Sequence, residues 1–207
     1  MIKRDVIAIE KNGTKSEHVF YSDEESNNLV LFFPGGSSNT TGPFFYYLRD
    51  YFLRNGYDVL CLSYKGLTKQ EETYDVKMEK ITTGAHLAIL QVKELKKYAK
   101  TLFVSRSFGN VISTTIKLNY NYDIDKDIYI SPIPQALEEI KKNPGLIITS
   151  EHDEYLEKEH MNDILSYQNQ EVIVFKEGDH SLECDDTLKT MEFCINAISK
   201  SIDFIEK

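Results

Sequence analysis

Short apolar runs alternate along the chain with longer stretches in which apolar residues recur every three or four positions. The first pattern fits strands buried on both faces, the second helices with one buried stripe. Strands are predicted at Val6–Ile9, Val19–Tyr21, Leu29–Phe33, Val59–Tyr64, Leu102–Ser105, Ile128–Ser131, Leu146–Thr149 and Val172–Lys176. Helices are predicted at Pro43–Asn55, Glu79–Ala99, Phe108–Leu118, Pro134–Lys142, Glu154–Ser166 and Leu188–Ile205. The alternation implies an α/β fold: a mostly parallel, roughly eight-stranded twisted sheet with helices on both faces. The connections "EKNGTKSE" and "SDEESNN" are too short for crossover helices, so the first strands should pair antiparallel. No repeat or low-complexity linker interrupts the pattern, and residues 1–207 read as one domain.

In such a sheet, ligands bind beyond the carboxyl ends of the strands, so the chemistry should stand there. The strand ending at Val104 runs into Ser105-Arg106-Ser107-Phe108-Gly109. A sharp strand-to-helix turn needs small residues two positions either side of its apex, and Ser105 and Gly109 supply them. "LVLFFPGGSSN" places Pro34-Gly35-Gly36 directly after another apolar strand. "GLIITSEHDEYL" puts Asp153 just past a third, and "VIVFKEGDHSLE" puts His180 just past the last. Asp153 and His180 are 27 residues apart, room for one helix and one strand.

These segments, in this order, resemble the α/β-hydrolase superfamily, with Ser105–Gly109 similar to its G-x-S-x-G nucleophile elbow. Ser105 departs from the first glycine of that motif. The resemblance implies Ser107 as nucleophile, His180 as base and Asp153 as the acid that orients it. It also implies an oxyanion hole from the backbone N–H groups of Gly36, with Ser37 its neighbouring candidate, and of Phe108. The layout looks most like dienelactone-hydrolase-like proteins and small esterases without a cap domain. The implied activity is carboxylesterase-like cleavage of a small acyl substrate through an acyl-enzyme. The same triad serves acyl transfer or thioester cleavage, and a catalytically silent ligand-binding protein is the alternative of another class.

Other residues compete for these roles. Glu151 is a second candidate acid, and Asp179 directly precedes His180; His152 lies in the acid loop, and His18, His86 and His160 fall within elements, where a lone histidine is usually structural. Asp123-x-Asp125-x-Asp127 opens like a calcium loop, but Ile128 stands where glycine is needed and Pro134 where a bidentate glutamate is. The aromatic run Phe44–Tyr47 should be mostly core, with one ring a candidate for lining the pocket.

Composition narrows the partners. A net charge of −9 opposes binding to nucleic acid or an anionic membrane. No apolar run approaches the roughly 18 residues that span a bilayer, and "MIKRDVIAIE" lacks a signal-peptide apolar region. Three widely spaced cysteines, Cys61, Cys184 and Cys194, suggest neither a disulfide framework nor a zinc site, so a reduced cytoplasmic setting and no cofactor or metal are expected. Only fourteen residues separate Ser131 from Leu146, enough for one crossover helix and no lid. A shallow acyl pocket, favouring chains of about two to four carbons, is the corresponding expectation.

Overall fold

A computed structural model describes residues 1–11 and 14–207. Eight strands form one sheet: β1 (Lys3–Lys11), β2 (Thr14–Ser22), β3 (Asn28–Phe33), β4 (Tyr57–Cys61), β5 (Lys100–Arg106), β6 (Lys126–Ile130), β7 (Gly145–Ser150) and β8 (Gln170–Phe175). The helices are α1 (Pro43–Arg54), α2 (Tyr74–Leu95), α3 (Phe108–Tyr120), α4 (Pro134–Lys142), α5 (Lys158–Ser166) and α6 (Thr187–Glu206). The order across the sheet is β1-β2-β4-β3-β5-β6-β7-β8. β1–β2 and β2–β4 are antiparallel and every later pair is parallel. β2 passes over its neighbour in sequence to pair with β4, which leaves β3 between β4 and β5 near the middle of the sheet.

Because successive strand residues point to opposite faces, each apolar run serves two cores. Val30, Phe32, Val104, Ile130 and Ile148 pack under α1 and α6 with Phe45, Leu48, Phe52 and Ala197. Leu29, Leu31, Phe33 and Phe103 pack on the other side against Ala85, Ile89 and Val92 of α2 and Ile112 and Ile116 of α3. Tyr129 and Ile147 extend that second side under α4 and α5, through Leu137, Ile140 and Ile164. Truncating a ring such as Phe32, which has no exposed surface, should cost about 3–5 kcal/mol.

Some element ends depart from the sequence expectation, each for a local reason. α2 begins at Tyr74, five residues before Glu79, because Thr73 Oγ1 accepts the Val76 N–H and caps the first turn. It stops at Leu95 because the chain is drawn out straight afterwards: Lys96 Nζ reaches Asp58 Oδ2 at 3.1 Å and Tyr98 OH donates to the same oxygen at 2.8 Å. α5 begins at Lys158 rather than Glu154, leaving residues 151–157 as a loop at the end of β7. β4 ends at Cys61, since the Ser63 N–H turns aside to His18 Nδ1 at 3.0 Å. Between β6 and β7 the one helix is α4, and no cap is inserted there.

Candidate active site

Three loops meet at the carboxyl edge of the parallel strands. The first follows β5 with no intervening residue except Ser107, whose backbone sits at φ 53°, ψ −124°. A side chain at positive φ stores roughly 1–3 kcal/mol, so the turn must be held from outside. The Ser107 N–H donates to Ile130 O and its carbonyl accepts from the Asn110 N–H, both at 2.9 Å. Gly109 lets α3 pass close to β3: a Cβ there would stand 2.2 Å from Phe33 O and 2.5 Å from Pro34 O. The same crowding brings Gly35 against the serine, an added Cβ lying 3.4 Å from Ser107 Cβ.

Ser105, the departure from glycine, is fully buried. Its hydroxyl donates to Asn110 Oδ1 at 2.6 Å, and Asn110 Nδ2 donates in turn to Ile130 O at 3.0 Å. The extra hydroxyl is thus satisfied inside the elbow by Asn110, a residue that sequence reading passed over, and it is sealed from any substrate.

His180 Nε2 lies 2.7 Å from Ser107 Oγ. His180 Nδ1 lies 2.8 Å from Asp153 Oδ2 and 2.9 Å from Oδ1. Asp153, on the loop after β7, is buried and also accepts the Tyr155 N–H at 2.9 Å. A carboxylate accepts only, so the Nδ1 that faces it carries the imidazole proton and Nε2 is left with a lone pair toward the serine. The Tyr155 ring sits 4.5 Å from the imidazole, and Arg106 Nη2 donates to Ser181 O at 3.0 Å, tying the elbow to the histidine loop. Burial lowers the Arg106 pKa, with the carboxylates of Glu183 and Asp179 acting against it.

The competing residues take other positions. Glu151 is exposed, and only its backbone is engaged, donating to Phe175 O. Asp179 Oδ1 accepts the N–H groups of Ser181 and Glu183 at 2.7 and 2.9 Å, shaping the loop rather than meeting the imidazole. His152 is exposed; His86 stacks on Tyr120 and bonds Tyr122 OH; His160 closes the capping box of α5 with Glu157. Asp125 accepts the Thr101 N–H and Asp127 pairs with Lys117, so these carboxylates are spent on the fold. Among the described residues no three His, Cys, Asp or Glu side chains gather to hold a metal ion.

Gly36 and Ser37 form the corners of a turn closed by the Ser38 N–H on Gly35 O at 2.9 Å, and both line the cavity that holds Ser107 and His180. Phe108 opens α3, where the first N–H groups have no partner within the helix and the helix dipole favours negative charge.

That cavity has a volume of about 950 Å³ and continues from Ser107 into a cleft between α1 and α6. Phe44, Phe45 and Tyr47 line one wall, more of the aromatic run than expected, and Met191, Ile195 and Ile198 line the other. The shallow pocket expected from the missing lid is therefore not what the fold builds. No cap is inserted between β6 and β7, but two helices already needed to cover the sheet leave a half-open, largely apolar cleft between them.

No protein-family model and no curated protein sequence matches the chain. Its fold is shared with solved structures at low identity. An esterase from Pyrococcus furiosus superposes with a TM-score of 0.72 at 15% identity, over 99% of this chain and 91% of that one. Est1E from Butyrivibrio proteoclasticus, solved with ferulic acid bound, gives 0.70 at 15% identity over 97% and 100%. An alpha-beta serine hydrolase homologue from Coxiella burnetii gives 0.69 at 14% identity over 95% and 96%.

Proposed function

We propose, from the premise that the chain has the α/β-hydrolase fold, that it is a serine hydrolase cleaving a carboxylic ester through an acyl-enzyme. The observation that carries this reading is the hydrogen-bonded chain from Asp153 through His180 to Ser107 on a strained strand-to-helix turn. A serine hydroxyl is a weak nucleophile until a base takes its proton as it attacks. His180 Nε2 takes that proton while Ser107 Oγ bonds to the ester carbonyl carbon, and Asp153 stabilises the imidazolium. The carbonyl oxygen becomes an oxyanion, held by the N–H groups of Gly36 and Phe108. Collapse of this intermediate breaks the bond to the leaving oxygen, which receives the proton from His180. Water then enters, gives a proton to His180 and attacks the acyl carbon; collapse frees the carboxylic acid and returns the proton to Ser107. No step needs a metal or a cofactor.

The setting proposed is the cytoplasm, in keeping with three cysteines that are all free thiols. No described helix is long and apolar enough to cross a membrane, and the acidic surface favours a small-molecule substrate over nucleic acid.

Hydrolysis of p-nitrophenyl acetate tests the reading. The wild-type chain should release nitrophenolate, and Ser107→Ala should lower kcat by about 10⁶-fold while its circular dichroism is unchanged. A Ser107→Ala protein that retains the wild-type rate overturns the assignment.

A further inference from the structure

Helix α6 carries two apolar rows where covering the sheet requires one. Phe193, Ala197 and Ser201 recur every four residues, are buried, and face the sheet. Met191, Ile195, Ile198 and Ile202, spaced by four, three and four, form a second row on a different face of the helix, and all four line the cleft. Met191 and Ile195 are 56% and 62% exposed. Ile198 also packs against the core, but Met191 and Ile195, exposed on the open wall, are explained by a ligand that takes them out of water.

The distribution of charge around the cleft identifies the ligand. The charged side chains of its lining, Arg106 and Glu183, and the imidazole of His180 all belong to the elbow and the histidine loop. Neither α1 nor α6 contributes a charge to the lining; their polar groups there are Tyr47, Thr190, Cys194 and Ser199. A charged group would find no opposite charge along either wall, whereas a hydrocarbon chain would be matched by most of the lining. From Met191 to Ile202 the helix advances roughly 16 Å at 1.5 Å per residue, the span of about thirteen carbon–carbon bonds, each of which advances a zigzag chain by about 1.25 Å.

We infer that the cleft between α1 and α6 is the acyl site for a single unbranched chain of about ten to fourteen carbons, its ester carbonyl at Ser107. The inference rests on the serine-hydrolase reading and names its substrate class. The acyl group, rather than the leaving group, occupies the cleft because it stays attached to Ser107 through both half-reactions and needs a lasting apolar seat. The leaving group must depart before water enters.

A chain-length series of p-nitrophenyl esters, with decyl acetate as the reversed ester, tests this. The expected result is a rise in kcat/KM of tenfold or more from butyrate to decanoate, since a fully buried methylene is worth roughly a factor of four and a half-open cleft buries part of each. Ile195→Asp, at an exposed position that should not disturb folding, should lower the decanoate-to-acetate ratio by tenfold or more. Hydrolysis that depends on Ser107 but peaks at acetate or butyrate overturns the acyl-cleft assignment and leaves the serine-hydrolase reading standing. Decyl acetate outpacing the decanoate ester, or an unchanged ratio in Ile195→Asp, also overturns it. Absence of Ser107-dependent hydrolysis at every length overturns both.

Discussion

Among the described residues two serine–histidine pairs are hydrogen-bonded, and they differ in one partner. In the first, Ser16 Oγ lies 3.0 Å from His18 Nε2; in the second, Ser107 Oγ lies 2.7 Å from His180 Nε2. What separates them is the group facing the other ring nitrogen. His18 Nδ1 accepts the Ser63 N–H at 3.0 Å, so its proton must sit on Nε2 and be donated to Ser16. His180 Nδ1 faces the Asp153 carboxylate, so its proton sits there and Nε2 accepts from Ser107. The same two side chains make a structural hydrogen bond in one place and, on the proposed reading, an acid–base pair in the other. Burial completes the contrast: His18 has no exposed surface and its pKa falls to about 4, whereas the His180 side chain keeps 12% of its surface exposed, beside the cavity.

The largest expected effect comes from making the second pair resemble the first. In Asp153→Asn the amide donates to Nδ1, which forces the His180 proton onto Nε2, so kcat should fall by about 10⁴-fold with the fold intact. Glu151→Gln, two residues earlier and exposed, should change kcat less than twofold by the ~0.4 kcal/mol scale of exposed charges. Steady-state kinetics on the two variants checks this, and the reverse order of effects would make Glu151 the acid.

A smaller effect concerns stability alone. Because burial depresses the His18 pKa from 6.5 to about 4, the folded state refuses a proton that the unfolded chain accepts. The fold should therefore be unaffected by this group above pH 6.5 and lose stability as pH falls from 6.5 toward 4, by up to about 3 kcal/mol. His18→Gln, which does not titrate, should flatten that part of the profile in urea unfolding while leaving ester hydrolysis at pH 8 unchanged. An equally steep profile in the variant would show that other groups set the acid limb.

Much of this arrangement is legible in the sequence because each loop is short. Ser107 follows its strand immediately, and Asp153 and His180 stand three and five residues past theirs, so an apolar run and its first polar successors locate all three on one sheet edge. The alternation of strands and helices follows from continuous apolar runs and 3.6-residue patterns, and the antiparallel start from connections too short for a crossover helix. Features decided by distant contacts are not legible in the same way. The end of α2 depends on Asp58, far away in sequence, receiving Lys96 and Tyr98. The Ser63 N–H that fixes the His18 tautomer comes from another strand's end. The cleft is not legible either, because its wall is the second apolar row of α6, Met191, Ile195, Ile198 and Ile202, whereas a missing lid by itself implies only a shallow pocket built by loops.

The proposal that orientation of one imidazole makes Ser107 the reactive serine is tested most directly by mapping a covalent adduct. A fluorophosphonate reacts only with a serine whose proton a neighbouring base removes. After treatment of the folded protein, peptide mass spectrometry should place the phosphonyl group on Ser107, with Ser16 and Ser105 unmodified, and Asp153→Asn should label far more slowly. An adduct on Ser16 or Ser105, or none on folded protein, would contradict the account.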